Sequence, residues 1–244
     1  MSGLINGVIV QITFRATVSR KRILLLALPA IVLIGISALL TATAKSTSWP
    51  PQILGTFGFT VLLPLTALIL GTSVLGAEVE DGSIVHLLAT PVSRVSIMLS
   101  KYLVAVTLTI VLAAIPEYLA AAIATGAGSK LSIGLLIGAI AAAFGYNALF
   151  MLFSAAFRPG RALAFGLIYV VLWEGLLSNL VPGVALLSIG HYGLAIANGF
   201  ARENALHAYL STGTGIGMGI ALTLVALAFG VRQLAVFTIK GDIA

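Results

Sequence analysis

The chain has 244 residues, of which 60% are hydrophobic and 8% charged, and its mean hydropathy is +1.15. A soluble domain carries about 25% charged residues because its surface faces water, so this composition excludes an ordinary soluble globule. The net charge is +6 and the chain has no cysteine; the scattered basic residues exclude a nucleic-acid-binding stripe, and disulfides and thiolate metal sites are excluded as well.

The first predicted element is an amphipathic helix within residues 1–22. We expect it to lie in the cytoplasmic interface of a membrane, held by its apolar face and by the basic cluster at 20–22. The alternative is a plain leader before the first span. The apolar residues that recur at helical spacing are Leu4, Ile5, Val8, Ile9 and Ile12.

Six apolar stretches follow, each long enough to cross a hydrocarbon core of about 30 Å, which takes roughly 20 helical residues. Lipid cannot satisfy backbone polar groups, and the chain lacks the alternation of a membrane barrel, so the spans are predicted to be helices. The fold class is therefore all-α integral membrane, a single transmembrane domain over 1–244. The first span is predicted to be retained, since its apolar run is longer than the core of a signal peptide. The predicted spans are 23–43, 53–75, 97–124, 131–157, 162–177 and 213–234, and 235–244 is a predicted tail.

The basic residues predict the orientation, because short cytoplasmic loops retain Lys and Arg. Both termini are predicted to be cytoplasmic, and we expect the membrane to be the plasma membrane of a prokaryotic cell. The two sets together account for all 13 basic residues. The cytoplasmic set is Arg15, Arg20, Lys21, Arg22, Arg94, Lys101, Arg158, Arg161, Arg232 and Lys240; the outer set is Lys45, Lys130 and Arg202.

The most informative segment is the loop between the second and third spans, residues 77–103. It opens with three of the seven acidic residues, Glu78, Glu80 and Asp81. A short helix is predicted to begin at Asp81 or Ser83 and to stop at Pro91. Its apolar face, which would suit a groove on a cytoplasmic partner, consists of Ile84, Leu87 and Leu88. The alternative is an ordinary interfacial helix.

This loop resembles the first cytoplasmic loop of type-2 (ABC-2 type) ABC exporter permeases. The shared pattern is E-x-E-x-G-[ST]-I-x-x-L-L-x-x-P-[VI]-S-R, followed by a lysine near the next span. The rest of the chain resembles that family more loosely, through the interfacial helix, the six spans and a long outer segment before the last one. The matching residues are Glu78, Glu80, Gly82, Ser83, Ile84, Leu87, Leu88, Pro91, Val92, Ser93, Arg94 and Lys101.

The resemblance implies how such a loop works. In that family it forms the coupling helix, which docks on a separate ATP-binding subunit and transmits its closure to the spans. The implied unit is two permease copies, identical or related, with two ATPase subunits that bind ATP and Mg. The chain has no G-x-x-x-x-G-K-[ST] phosphate-binding loop, so we expect no cofactor in this chain and no enzymatic activity of its own.

Two carboxylates inside the predicted spans are candidate substrate-path residues. A rise of about 1.5 Å per residue places Glu117 and Glu174 in the outer half of the bilayer. A charged carboxylate at the bilayer centre costs at least ~2.5–3.5 kcal/mol, so each should face the bundle, water or a headgroup, or be protonated. They would favour cationic or hydrogen-bonding cargo; the alternative is hydrogen bonding to neighbouring helices. Pro64 and Pro116 are predicted to kink their spans.

Residues 178–212 are too long for a turn and too apolar for a free loop, which predicts a re-entrant or interfacial element on the outer side. His191, Glu203 and His207 lie in it, but their spacings make a poor metal site. Small-xxx-small pairs, Gly134 with Gly138 and Gly215 with Gly219, predict close helix packing without indicating which helices meet.

Two other classes of function compete with an exporter permease. An intramembrane protease could use two carboxylates, but no H-E-x-x-H or G-x-S-x-G motif accompanies them. A secondary transporter or ion pathway often shows an internal repeat, and none is evident between spans one to three and four to six. The cargo cannot be read from such a sequence, because fold does not determine function.

Overall fold

The computed structural model of the chain describes residues 5–44, 48–80, 92–181, 183–202, 206 and 208–240. Nearly all of these residues are helical and no strand occurs among them, so the predicted all-α fold class is confirmed. A 3₁₀ turn, Val184–Leu187, precedes α7. The helices are α1 (Gly7–Thr17), α2 (Arg20–Thr43), α3 (Trp49–Phe57, a π-helical segment Gly58–Leu62, and Leu63–Glu80), α4 (Arg94–Thr109, a π-helical segment Ile110–Ala114, and Ile115–Thr125), α5 (Lys130–Ala156), α6 (Pro159–Ile168, a π-helical segment Tyr169–Leu177, and Ser178–Leu180), α7 (Ile189–Ala201) and α8 (Thr212–Lys240).

Six of these helices, α2 to α6 and α8, are long and apolar enough to cross a membrane, which confirms the prediction of six such helices; the predicted bounds of the spans stay a prediction. Several begin a few residues before the apolar run that predicted them. Ser19, Ser93 and Ser129 explain the difference for α2, α4 and α5. Each accepts a hydrogen bond from the backbone N–H three residues on, so a polar N-cap sets where the helix begins.

The short N-terminal helix α1 exposes part of its apolar face. Ile9, Thr13 and Thr17 are buried against the bundle, whereas Val8 and Ile12 are exposed. Asn6 caps α1, its side chain accepting from the N–H of Val8. A helix with exposed apolar side chains beside the basic start of α2 suits a membrane interface, and its interfacial position stays a prediction.

The two span prolines coincide with wider helical turns. Pro64 and Pro116 follow the π-helical segments of α3 and α4, and the residue four positions before each, Thr60 or Leu112, lies inside that segment. A proline ring clashes with the carbonyl of residue i−4 and offers no N–H to it, and a π-turn is a local widening that accommodates this. The third π-helical segment, in α6, contains no proline.

The spans alternate in direction, which gives the bundle two ends. The end where α2 begins, and where α3 connects to α4, is called the proximal end here. The opposite end, where α6 ends, α7 lies and α8 begins, is the distal end.

Helix α5 forms the centre of the bundle, and its glycines face α7. A Cβ at Gly138 would collide with the carbonyl oxygen of Gly193 and lie 2.8 Å from the Cβ of Ala197. Gly215 of α8 approaches α7 from the other side, where a Cβ would lie 3.0 Å from the carbonyl oxygen of Tyr192. Both small-xxx-small pairs therefore carry a residue that lets a backbone approach α7 closely.

Candidate functional site

Most of the predicted coupling residues fall in the connection between α3 and α4. Gly82, Ser83, Ile84, Leu87, Leu88 and Pro91 lie outside the described residues. Glu78 and Glu80 belong to the last turns of α3. At the other side of the connection, Ser93 caps α4 and Arg94 is the first residue of that helix.

The helices on either side of this connection are bonded to each other. The Lys101 side chain is 1% exposed, and its Nζ donates to the backbone carbonyl of Val74, 2.8 Å away, in α3. Next to it, the Ser100 hydroxyl accepts from the N–H of Asn6 at a distance of 2.9 Å. The start of α1, the end of α3 and the start of α4 thus form one cross-bonded unit at the proximal end. The motif pointed to Lys101, but no local pattern could indicate its burial.

Glu117 lies near the distal end of α4 and is fully buried. Neither of its carboxylate oxygens has a hydrogen-bond partner among the described residues. The side chain packs against Gly58, the first residue of the π-helical segment in α3, where a Cβ would collide with the carboxylate. Only a glycine at position 58 leaves room for this carboxyl group.

Gly58→Ala is expected to lower the free energy of unfolding by about 1–2 kcal/mol, because the new methyl group overpacks the Glu117 carboxylate. Adding Glu117→Ala should recover most of that loss, since the obstructing group is then gone. Thermal unfolding of the parent, both single variants and the double variant in detergent measures the coupling. Additive effects of the two substitutions would contradict the contact.

Glu174 lies in the π-helical segment of α6 and is also buried, but several donors surround its carboxylate. The Tyr169 hydroxyl donates at 2.6 Å, and the Ser188 hydroxyl donates to the other oxygen. The backbone N–H groups of Ile189 and Gly190 donate at 2.8 and 3.4 Å. The carboxylate therefore occupies the N-terminus of α7, where free N–H groups and the helix dipole favour negative charge.

The structure thus separates two residues that the sequence grouped together. Glu174 joins α6 to α7 through its donors, as in the prediction that it hydrogen-bonds a neighbouring helix. Glu117 has no such donor among the described residues. Both lie toward the distal end, and whether either contacts cargo stays a prediction.

His191, in the first turn of α7, contributes to the same junction. Its Nε2 lies 3.2 Å from the carbonyl oxygen of Ser178 in α6. A carbonyl only accepts, so Nε2 carries the proton and Nδ1 is an acceptor. Burial lowers the pKa of His191, which favours the neutral imidazole. Glu203 and His207 lie outside the described residues, and the part of the chain that is described holds no group of three metal-binding side chains.

The helix α7 was predicted only as a re-entrant or interfacial element. The signal for its start is Ser188, whose side chain accepts from the N–H of His191 and caps the helix. Ser188 also donates a hydrogen bond to Glu174, 14 residues earlier. This is a tertiary contact, and the sequence spacing of the two residues does not predict it.

Comparison with known proteins gives one family. A search of curated proteins finds no match. A family model described as ABC-2 family transporter protein matches residues 17–167, a region that contains α2 to α5, the first part of α6 and the whole loop 77–103. The match covers more than half of the chain and confirms the resemblance inferred from that loop. The chain belongs to the ABC-2 family of transporter proteins.

Proposed function

We propose that this chain is the permease subunit of an ATP-driven exporter, forming the substrate path and coupling it to a separate ATP-binding subunit. The observation that carries the proposal is the family match, which includes the loop 77–103. The family gives a membrane subunit of an ABC transporter; the partner ATPase and the direction of transport are part of the proposal.

In the proposed mechanism the proximal end is cytoplasmic and the residues between α3 and α4 dock on the ATPase. ATP and Mg are bound by that partner, whose closure displaces the docked segment. The bond between Lys101 and Val74 and the bond between Ser100 and Asn6 support this step, because they make α1, α3 and α4 move together. Two permease copies, identical or related, would then open toward the distal end by alternating access.

The proposed substrate path includes Glu117 and Glu174. In this conformation the Glu174 oxygens already accept from the Tyr169 and Ser188 hydroxyls and from α7. Glu117 has unused acceptor capacity among the described residues, so it is the residue of the two that would interact with cationic or hydrogen-bond-donating cargo.

The test uses the predicted docking face. Leu87→Asp with Leu88→Asp is expected to abolish co-purification with the ATPase subunit and to remove ATP-dependent transport, because two carboxylates cannot enter an apolar groove without a large desolvation cost. Co-expression with candidate ATPase subunits, co-elution in detergent and ATP hydrolysis measure the effect.

A matched control is available at the distal end. Leu186 and Leu187 are 44% and 55% exposed, so the same double substitution to Asp there should leave ATPase binding intact. Equal ATPase binding by both double variants would contradict docking at this loop. A parent chain that purifies without any of the candidate ATPases would contradict the proposed exporter function.

The second candidate function is a secondary transporter or ion pathway that uses an intramembrane carboxylate. The observation that favours it is the buried carboxyl group of Glu117, which has no hydrogen-bond partner among the described residues. Ion or substrate flux in proteoliposomes that contain this chain alone, without an ATPase or ATP, distinguishes the two. Flux that Glu117→Gln removes would support the second function.

A further inference from the structure

An apolar groove lies in the distal half of the bundle. It has a volume of about 550 Å³ and is bounded by α5, α7 and α8. That volume is within the range of about 300–1,000 Å³ found for small-molecule sites. The side chains along its two walls are Ile137, Ile140, Phe144, Ile216, Ile220 and Leu224.

The side-chain hydroxyl groups that line the groove already donate hydrogen bonds within the protein. Of its lining residues, Tyr192 and Thr223 carry hydroxyl groups, and these donate to the backbone carbonyls of Leu186 and Gly219. A hydrated or sugar-like occupant would find few partners here and would lose its own hydrogen bonds to water. The occupant must therefore be a hydrocarbon.

The length of the groove fits a lipid tail rather than a helix of another chain. The α8 residues that line it run from Gly215 to Leu224, about 14 Å of helix. Toward the proximal end α8 comes close to the bundle, where a Cβ at Gly230 would collide with the Met98 side chain. The groove is thus confined to the distal half and is shorter than a partner helix would need.

Two cations flank the distal end of the groove. Lys130 is exposed and lies seven residues before Ile137, two helical turns above it on the same face of α5. Arg202 is exposed and follows Ala201, which packs against Gly134 of α5. Lys130 thus lies two turns beyond the first α5 residue of the wall and Arg202 two residues beyond Phe200, the last α7 residue of the lining, which is where a lipid headgroup would be.

We propose that this groove binds one acyl chain of an anionic phospholipid from the distal leaflet, with its phosphate group between Lys130 and Arg202. This binding depends neither on an ATPase nor on the direction of transport. The site would fix the position of α7 against α5 and α8.

The test compares two glycines of α8. Gly219 lines the groove, and a Cβ there would meet only the Tyr192 side chain, at 3.9 Å, so Gly219→Leu adds a side chain to the groove with no clash at its Cβ. Gly217 has nothing within 4 Å of such a Cβ, and Gly217→Leu is the matched control outside the groove. The purified permease, or its complex with the ATPase where one forms, is delipidated and titrated with phosphatidylglycerol or phosphatidylcholine. Native mass spectrometry counts the retained lipid.

The parent and Gly217→Leu are expected to retain one phosphatidylglycerol. Gly219→Leu should bind it at least about tenfold more weakly, since displacing only two methylene groups from an apolar site has that effect. Lys130→Gln with Arg202→Gln should keep a bound lipid but lose roughly tenfold preference for phosphatidylglycerol over phosphatidylcholine.

Size-exclusion elution and melting temperature verify that all the variants are folded. Equal lipid retention by Gly219→Leu and Gly217→Leu would overturn the proposal, as would a parent that retains no lipid. Loss of a dimer in Gly219→Leu, with lipid retention unchanged, would assign the groove to a second copy of the permease and would also overturn it.

Discussion

Glu174→Gln is expected to lower the free energy of unfolding by about 2–4 kcal/mol, because the carboxylate accepts four hydrogen bonds and an amide cannot. The Gln side chain keeps one acceptor oxygen and turns an NH₂ group toward hydroxyl and N–H donors. Three of the four donors belong to Ser188, Ile189 and Gly190 at the N-terminus of α7, so this helix would lose most of its hydrogen bonds to α6 and keep the bond between His191 and Ser178. Thermal unfolding in detergent measures the loss.

The matched control is the other buried carboxylate. Glu117→Gln removes no hydrogen bond from the described residues, and Gln has nearly the same volume as Glu, so the expected change is within about 1 kcal/mol. Proteolysis adds a local readout: cleavage between α6 and α8 should accelerate in Glu174→Gln and not in Glu117→Gln. Equal destabilisation by the two substitutions would show that burial, and not the donor set, explains the role of Glu174.

The spans could be predicted from sequence because the information is local. Hydropathy over about 20 residues identifies a helix that lipid can surround, and the serine caps before α2, α4 and α5 set their starts. Pro64 and Pro116 likewise marked where α3 and α4 depart from regular geometry, although a kink was predicted and a π-helical turn is found.

The arrangement of the helices could not be predicted in this way. Glu117 and Glu174 have the same chemistry and similar depth, but one meets the bare backbone of Gly58 and the other meets the start of α7. These partners are far away along the chain: Gly58 is 59 positions before Glu117, and Ser188 is 14 positions after Glu174. The burial of Lys101 against α3 is a contact of the same non-local kind.

The close approach of α5 and α7 gives the second large expected effect. Gly138→Val is expected to destabilise the protein by about 3 kcal/mol, because its Cβ alone collides with the carbonyl oxygen of Gly193 and crowds Ala197. The obstacle is helix backbone, which cannot rotate away as a flexible side chain would. Relief requires α7 to move as a whole, which would also strain the bonds between α7 and Glu174. A melting curve in detergent measures the loss.

Gly35→Val in α2 is the control, since Gly35 is exposed and a Cβ added there would have nothing within 4 Å. Valine at this position changes only helix propensity, and the expected effect is within about 1 kcal/mol. If Gly138→Val and Gly35→Val have the same melting temperature, α5 and α7 are not packed as closely as described. A loss of stability confined to Gly138→Val would show that the packing of α7 depends on the absence of a side chain at Gly138. Together with the loss expected for Glu174→Gln, it would mean that α7 is positioned both by its close contact with α5 and by the carboxylate bonded to its first turn.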